Sequence, residues 1–198
     1  GTTDIAIFSG GAIRHTAVIP IAGDHVTNDV AVALRTPTQH AENIKMQYGS
    51  VLPHIVDPCS TIEVPSITKR PAKQIQKKAL SNVISARYEE LFSLALANLR
   101  RSGFEDLIAA GVVLTGGASN VAGAVELAES IFEMPVRLGL PQHISGLTDV
   151  RSNPGYATGV GLLLHGLQQQ RDGAYRFDAN QGVDGMWARM KSWFEVNF

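Results

Sequence analysis

The stretch Val112-Val113-Leu114-Thr115-Gly116-Gly117-Ala118-Ser119-Asn120 is an apolar run that ends in two glycines. This pattern predicts a short buried strand, a tight turn and a helix that begins near Asn120. A helix N-terminus leaves backbone N–H groups unpaired and a positive dipole end, which together attract anions. Because glycine has no Cβ, a flat ligand can lie against the backbone at Gly116 and Gly117. Two adjacent glycines more often form a plain turn before a packing helix, so further elements are needed to identify a nucleotide-binding site.

The composition is that of an ordinary globular protein. Its 198 residues are enough for one to two domains, and 44% of them are hydrophobic and 18% are charged. The 17 basic and 18 acidic side chains nearly cancel, so the overall charge gives no argument for nucleic acid binding. A single cysteine, Cys59, excludes an internal disulfide and fits a reducing compartment. The chain starts without Met and inside a motif, and we therefore expect a fragment.

Hydrophobic periodicity and turn residues predict an α/β chain with a mixed sheet. The expected strands are a hairpin at 4–8 and 13–19, then 61–64, 111–115 and 135–140; the expected helices are 24–34, 39–48, 77–101, 121–132 and 154–167. Asp24 is predicted to cap the first helix, and Gly103 to end the long one. The polar stretch after residue 167 has no useful period and predicts a flexible linker.

Two more segments carry residues suited to a nucleotide. Gly1-Thr2-Thr3-Asp4 leads into the first strand and offers backbone N–H groups and two hydroxyls to phosphate oxygens, with Asp4 placed to hold Mg²⁺ or its waters. Glu42 and Lys45 are three residues apart on one helix face, where a carboxylate suits ribose hydroxyls and a lysine stem covers a purine. A capped turn and a solvated ion pair are the commoner alternatives.

A phosphate loop, a base-clamping helix and a Gly-Gly turn in this order resemble the second half of the actin-like ATPase superfamily, and most closely the FtsA family of bacterial cell-division proteins. The resemblance spans essentially all 198 residues. The motifs that carry it lie at 1–8, 14–20, 62–66, 113–117 and 146–149, together with the linker and the aromatic tail. It implies an α/β, actin-like (ribonuclease H-like) ATPase half, in which residues 1–23 and 91–166 form subdomain 2A, 24–90 subdomain 2B, 167–184 a flexible linker and 185–198 an amphipathic membrane-targeting helix.

The resemblance also assigns roles around ATP and Mg²⁺. It implies that Gly1, Thr2 and Thr3 face the β- and γ-phosphates and Asp4 the metal, that Glu42 and Lys45 contact ribose and adenine, that Gly116, Gly117 and Ala118 contact the adenosine, and that Gly23 lies on the phosphate side. It assigns no catalytic residue. The Asp-x-Gly-Gly that should precede Gly1 is absent, as is the other half of the clamp. Because such sites bury most of their ligand, we expect this chain alone to bind ATP weakly or not at all.

The last residues predict a membrane anchor. One helical stripe is formed by Met186, Trp187, Met190, Trp193 and Phe194, with Arg189 and Lys191 off its centre. A short, aromatic and slightly basic amphipathic helix on a polar tether is typical of an in-plane anchor with tryptophans at headgroup depth. The alternative is a helix docked on the protein's own core, which rarely needs so long a tether. The resemblance agrees with the anchor.

A local basic cluster is formed by Lys69, Arg70, Lys73, Lys77 and Lys78, followed by Arg87 on the long helix. A solvated helix face is the alternative meaning, and the lack of interleaved aromatics argues against nucleic acid. The resemblance implies that this subdomain receives the acidic C-terminal tail of the tubulin-like ring protein FtsZ, with Lys73 and Arg87 as the contacts.

The resemblance as a whole implies an ATP-binding adaptor that tethers the FtsZ ring to the cytoplasmic face of the bacterial inner membrane at the division site. It further implies self-association into filaments and contacts with other divisome proteins. ATP hydrolysis stays open and is at most weak. The alternatives are an ATPase or sugar kinase of the same superfold, which has no use for a membrane helix, and a chaperone fragment, for which no substrate domain follows.

Overall fold

The computed structural model describes residues 1–66, 71–145 and 148–171. A first compact unit covers Gly1–Thr158, and a second begins at Gly159. The candidate site lies entirely within the first unit. The described part of the second unit, residues 159–171, is helical throughout.

The predicted hairpin is confirmed. Strands β1 (Thr3–Ser9) and β2 (Ala12–Ile19) pair antiparallel with Thr3 opposite Ile19. Gly10 and Gly11 form the turn with φ of 61° and 76°, the left-handed values that a tight hairpin turn needs. Side chains alternate across the hairpin, so Ile7 and Ile19 are buried while Asp4 and its neighbour Val18 are exposed.

Three helices form the middle of the first unit. Helix α1 is Gly23–Leu34, α2 is Thr38–Tyr48, and the 26-residue α3 is Lys77–Ser102, which ends at Gly103 with φ of 73° as predicted. Between α2 and α3, strands β3 (Thr61–Val64) and β4 (Lys73–Gln76) pair antiparallel. Strand β4 was not predicted, because its lysine and glutamines hide the short β pattern.

The Gly-Gly stretch lies in a strand–helix–strand unit. Strands β5 (Val112–Leu114) and β6 (Val136–Leu138) are parallel and are connected through α4 (Ala124–Phe132). Short 3₁₀ turns lie at Glu105–Leu107, Gly117–Asn120 and Pro154–Tyr156, and the remaining helices are α5 (Thr148–Arg151) and α6 (Ala157–Arg171). The α/β fold class predicted from the sequence is therefore confirmed.

One hydrophobic core joins these elements. Its members include Ile19, Val26, Val30, Leu80, Ile84, Tyr88, Phe92 and Phe132, from β2, α1, α3 and α4. Within it, Phe92 meets Tyr88 edge-on with ring centroids 5.8 Å apart and lies 6.0 Å from Phe132. The predicted inward face of α3 is thus confirmed, and α3 is the element against which both α1 and α4 pack.

Three predicted boundaries were wrong. The helix expected near Asn120 begins at Ala124, because Gly123 with φ of 86° reverses the backbone first, so no α-helix N-terminus lies at the Gly-Gly turn. Asp24 does not cap α1; it lies in the first turn, and the cap position is Ala22, whose N–H donates to His25 Nδ1. Helix α6 continues to Arg171 through glutamines, which are good helix formers, so residues 168–171, predicted as linker, are helical.

Within the described ranges, no helix is both long enough and apolar enough to span a bilayer. The predicted anchor residues lie outside the described residues: Met186, Trp187, Met190, Trp193 and Phe194. The same holds for Lys69 and Arg70 of the basic cluster.

Candidate functional site

Three segments that are distant in the sequence meet at Gly23, the first residue of α1. A Cβ placed on Gly23 would lie 3.6 Å from Lys45 Nζ of α2 and 3.7 Å from the Ala118 Cβ of the Gly-Gly turn. The packing of α1 on α2, and of both α1 and α4 on α3, brings these segments together. We call this meeting point the Gly23 junction; it comprises Gly23, Thr27, Glu42, Lys45 and Ala118.

The ammonium of Lys45 is fully engaged inside the junction. Its Nζ donates to the Gly23 carbonyl at 3.1 Å and to Thr27 Oγ1 at 2.7 Å, and pairs with Glu42 at 2.7 Å. A lysine ammonium has three donors, and these contacts account for all of them. The head of Lys45 is therefore tied down, which fixes the direction of its aliphatic stem.

Glu42 keeps one carboxylate oxygen for a ligand. Lys45 and the Thr27 hydroxyl both contact Oε2, and within the described part of the chain Oε1 has no hydrogen-bond donor. Partial burial raises the pKa of Glu42, but the hydrogen bonds from Lys45 and Thr27 outweigh it and lower the pKa below its ordinary value. The carboxylate is therefore charged at neutral pH, and Oε1 is an acceptor suited to a hydroxyl.

The Gly-Gly turn is held from several sides while its glycines stay open. The N–H of Gly116 donates to the Pro154 carbonyl at 3.1 Å, and the Ser119 hydroxyl donates to the Gly116 carbonyl at 2.7 Å. The Tyr88 hydroxyl of α3 donates to the Ala118 carbonyl at 2.7 Å. A Cβ on Gly116 or Gly117 would meet nothing within 4 Å. The turn thus presents an uncovered backbone surface on a fixed frame.

The first strand begins next to α1. Thr3 Oγ1 donates to the Ile21 carbonyl at 2.7 Å, and the Gly1 nitrogen donates to the carboxylate of Asp24. Gly1 and Thr3 are thereby brought beside the N-terminus of α1, where Gly23 lies. Thr2 and Asp4 are exposed, and because side chains alternate along β1, Asp4 lies on the opposite face from Thr3.

The residues present fit ATP better than they define a metal site. Open glycine backbone, a lysine stem held by its head group and a carboxylate oxygen without a donor among the described residues could receive a flat base and a sugar hydroxyl. Among the described residues, no group of three or more His, Cys, Asp or Glu side chains is arranged to hold a metal. Mg²⁺ is usually held by one or two carboxylates together with substrate phosphates, and Asp4 is the one carboxylate that we assign to that role.

Lys73 and Arg87, the predicted partner contacts, are in different situations. Lys73 is exposed on β4, whereas Arg87 makes a two-pronged pair with Asp29 of α1 and a third contact with Glu90 at 2.6 Å. The Asp29 hydrogen bond raises the pKa of Arg87. The two residues make no contact with each other, and Arg87 lies about 15 Å along α3 from its first residue.

Sequence reasoning missed two residues of this site. Thr27 was not singled out, although it follows Gly23 by four residues and so lies one helical turn away on the same face. Tyr88 was assigned only to the core, and its periodicity on α3 gives no sign of the Ala118 contact. Both signals depend on which segments the fold brings together.

Comparisons with known proteins identify the family. The family model described as "Cell division protein FtsA" matches residues 1–161. The cell division protein FtsA of Pseudomonas aeruginosa is 56% identical over 204 residues, and that of Escherichia coli K12 is 41% identical over 207 residues. Each match covers 100% of this chain and 49% of the relative, so the chain spans about half the length of the curated relatives it matches.

Solved structures with the same fold are actin-like proteins. MreB 5 of Spiroplasma citri bound to AMPPNP superposes with a TM-score of 0.67 at 20% identity, covering 88% of this chain and 53% of that one. A non-polymerising MamK mutant bound to AMPPNP gives a TM-score of 0.56 at 15% identity, covering 81% and 50%. These likenesses show that the fold is that of an actin-like ATPase half.

Proposed function

The chain belongs to the FtsA family of cell division proteins, and we propose that it is the ATP-binding second half of a membrane-tethering adaptor of the bacterial division ring. Within it, we assign 1–23 and 91–166 to subdomain 2A and 24–90 to subdomain 2B. The Gly23 junction is the observation that carries the proposal. It joins α1, α2 and the Gly-Gly turn around groups that suit one adenosine.

The contacts of the site residues support the role that we propose for each of them. The uncovered backbone of Gly116, Gly117 and Ala118 would lie against the adenosine, with the fixed stem of Lys45 on the purine. The free Oε1 of Glu42 would accept a hydrogen bond from a ribose hydroxyl. The phosphates would extend past Gly23 toward the N–H groups of 1–3 and the Thr2 hydroxyl, with Mg²⁺ beside Asp4.

A titration of the 198-residue chain with ATP, monitored through its backbone amide NMR signals, tests the nucleotide site. Because one lobe of a two-lobed clamp supplies only part of the contacts, we expect weak binding at most. Signal changes at millimolar ATP should be confined to the site residues around Gly23, Glu42 and Gly117. Changes located only on other surfaces would contradict the site. Tight, saturable binding that Lys45→Ala abolishes would contradict the expected weakness of the half-site.

The membrane role is proposed from the stripe of Met186, Trp187, Met190, Trp193 and Phe194. Residues 172–184 would serve as its flexible tether. A single shallow helix binds lipid reversibly, so self-association into filaments would add avidity at the cytoplasmic face of the inner membrane. Liposome flotation of the chain and of Trp187→Glu tests this, and a variant that still floats would contradict the anchor. Contacts with other divisome proteins belong to the same proposal.

The FtsZ contact is proposed for the exposed Lys73 and, with a qualification from the structure, for Arg87. An acidic FtsZ tail must compete with Asp29 for the guanidinium of Arg87, whereas the exposed Lys73 has no ion pair within the described part of the chain. We therefore expect Lys73→Glu to weaken salt-dependent binding of an FtsZ tail peptide without unfolding the chain. Unchanged peptide binding after charge reversal at both positions would exclude this surface.

A further inference from the structure

Tyr88 lies behind the Gly-Gly turn. Its side chain is 4% exposed, and its ring packs edge-on against Phe92 in the core. A phenylalanine would fill that core position equally well, so packing alone gives no reason for a hydroxyl. Among the residues that the structure describes, the hydroxyl has one partner, the Ala118 carbonyl at 2.7 Å. Its role is therefore to be sought in the turn at Gly117–Asn120.

The tyrosine is well suited to hold that turn in place. Burial, with a smaller contribution from the charge of Glu42, raises the pKa of Tyr88 to about 12, so the hydroxyl stays a donor throughout the neutral range. It is carried by α3, the 26-residue helix that both α1 and α4 pack against. Ala118 lies against Gly23, because a Cβ placed on Gly23 would be 3.7 Å from the Cβ of Ala118.

We propose that Tyr88 is a positioning residue for the nucleotide: its hydroxyl holds the Gly117–Asn120 turn at the spacing from Gly23 and Lys45 that an adenosine requires, without touching the ligand. This inference rests on the nucleotide site proposed above. Without the hydroxyl, the turn samples other positions. The apparent affinity then falls in proportion to the fraction of time that the turn spends in the binding-competent position. The net strength of one such hydrogen bond, converted to an affinity ratio, predicts that its loss weakens ATP binding three- to tenfold.

The same helix offers a matched control. Ser81 is also buried, and its hydroxyl donates to the Ser50 carbonyl at 2.9 Å rather than to a residue of the Gly117–Asn120 turn. Tyr88→Phe and Ser81→Ala each remove one buried hydroxyl-to-carbonyl hydrogen bond from α3. A purely structural role for Tyr88 predicts that the two variants behave alike in every assay.

The test compares the wild-type 198-residue chain with both variants. Urea unfolding should show similar small losses of stability. Before any ATP is added, the amide of Ser119, which donates to the Gly116 carbonyl at 3.1 Å, should exchange faster with solvent in Tyr88→Phe and not in Ser81→Ala. In an ATP titration by NMR, only Tyr88→Phe should show the three- to tenfold loss of affinity.

The outcomes separate the two claims. Unchanged exchange at Ser119 in Tyr88→Phe, or equal ATP affinity where the wild type responds, overturns the role of Tyr88. A wild type that shows no ATP-dependent change at the Gly23 junction agrees with a half-site too weak to measure, and the exchange measurement at Ser119 then decides by itself whether Tyr88 orders the turn. Should Tyr88→Phe fold poorly, Ser119→Ala removes another side-chain hydrogen bond of the turn and should weaken ATP binding in the same direction.

Discussion

The chain contains two Gly-Gly turns that look alike in the sequence and differ in the structure. Gly10 and Gly11 both have φ in the left-handed region, 61° and 76°, so the backbone of the hairpin turn favours glycine at both positions. At Gly116 φ is 90°, but Gly117 has an ordinary negative φ that any residue adopts. The conformation therefore explains three of these four glycines and leaves Gly117 unexplained.

The surroundings of the two turns differ in the same sense. Beside the hairpin turn, Arg14 Nε donates to the Ser9 carbonyl in an exposed contact at 3.1 Å. The second turn is tied to the core by Tyr88 and to the backbone at Pro154, yet a Cβ on Gly117 would enter open space. A Cβ on Gly11 would also meet nothing within 4 Å, so open space alone does not separate the two turns. The second turn differs in its hydrogen bond from the buried Tyr88 and in an open glycine, Gly117, that its own backbone conformation does not require.

Gly116→Ala is expected to have the largest effect on stability. With φ of 90° and ψ of 168°, Gly116 occupies a region that is essentially confined to glycine, so alanine should cost about 1–3 kcal/mol in the free energy of unfolding. Gly11→Asn, at φ of 76°, should cost less than about 1 kcal/mol, because asparagine tolerates the left-handed region. Urea unfolding of both variants measures the difference. Equal losses would mean that the second turn is no more constrained than the first.

Most of the fold could be predicted because its signals are local. The hairpin, the face of α3 with Ile84 and Leu91, and the glycine that ends α3 all follow from periodicity and turn residues. The start of α4 could not be predicted, since the apolar residues at 121–122 continue the helical pattern while Gly123 interrupts the backbone. Strand β4 was missed because its pairing with β3, rather than its own composition, stabilises it.

The site was predictable only residue by residue. Glu42 and Lys45 share a helix face, so their pairing follows from spacing alone. By contrast, the contacts of Lys45 with Gly23, of Tyr88 with Ala118 and of Arg87 with Asp29 each join segments 22 to 58 residues apart. No local pattern encodes such contacts. The sequence therefore identified the candidate groups but not the network that orients them.

A smaller effect on stability is expected from pH, and it should arise from Glu42 in the Gly23 junction. Because hydrogen bonds from Lys45 and Thr27 lower the pKa of Glu42 against the effect of burial, its charge stabilises the fold above the ordinary value of 4.5, and this is lost as the pH falls through the folded-state pKa. At neutral pH the free energy of unfolding of the wild type should exceed that of Glu42→Gln by less than about 1 kcal/mol, because the Glu42 side chain is a third exposed. The difference should vanish in acid. Unfolding measured across pH tests this, and Thr27→Val should shrink the pH-dependent part. A difference that persists in acid would show that the charge of Glu42 is not its cause.

Gly117→Ala should change stability least and discriminate best between the two kinds of turn. Its φ suits alanine and the added methyl enters open space, so the free energy of unfolding should stay within about 0.5 kcal/mol of wild type. If the bare backbone is where adenosine lies, however, the methyl occupies the ligand's place, and the ATP-dependent amide signals should weaken or disappear. Gly161→Ala, which adds a methyl to open space on α6, should leave those signals unchanged. A Gly117→Ala chain that responds to ATP as the wild type does would leave the second turn, like the first, a simple reversal of the backbone.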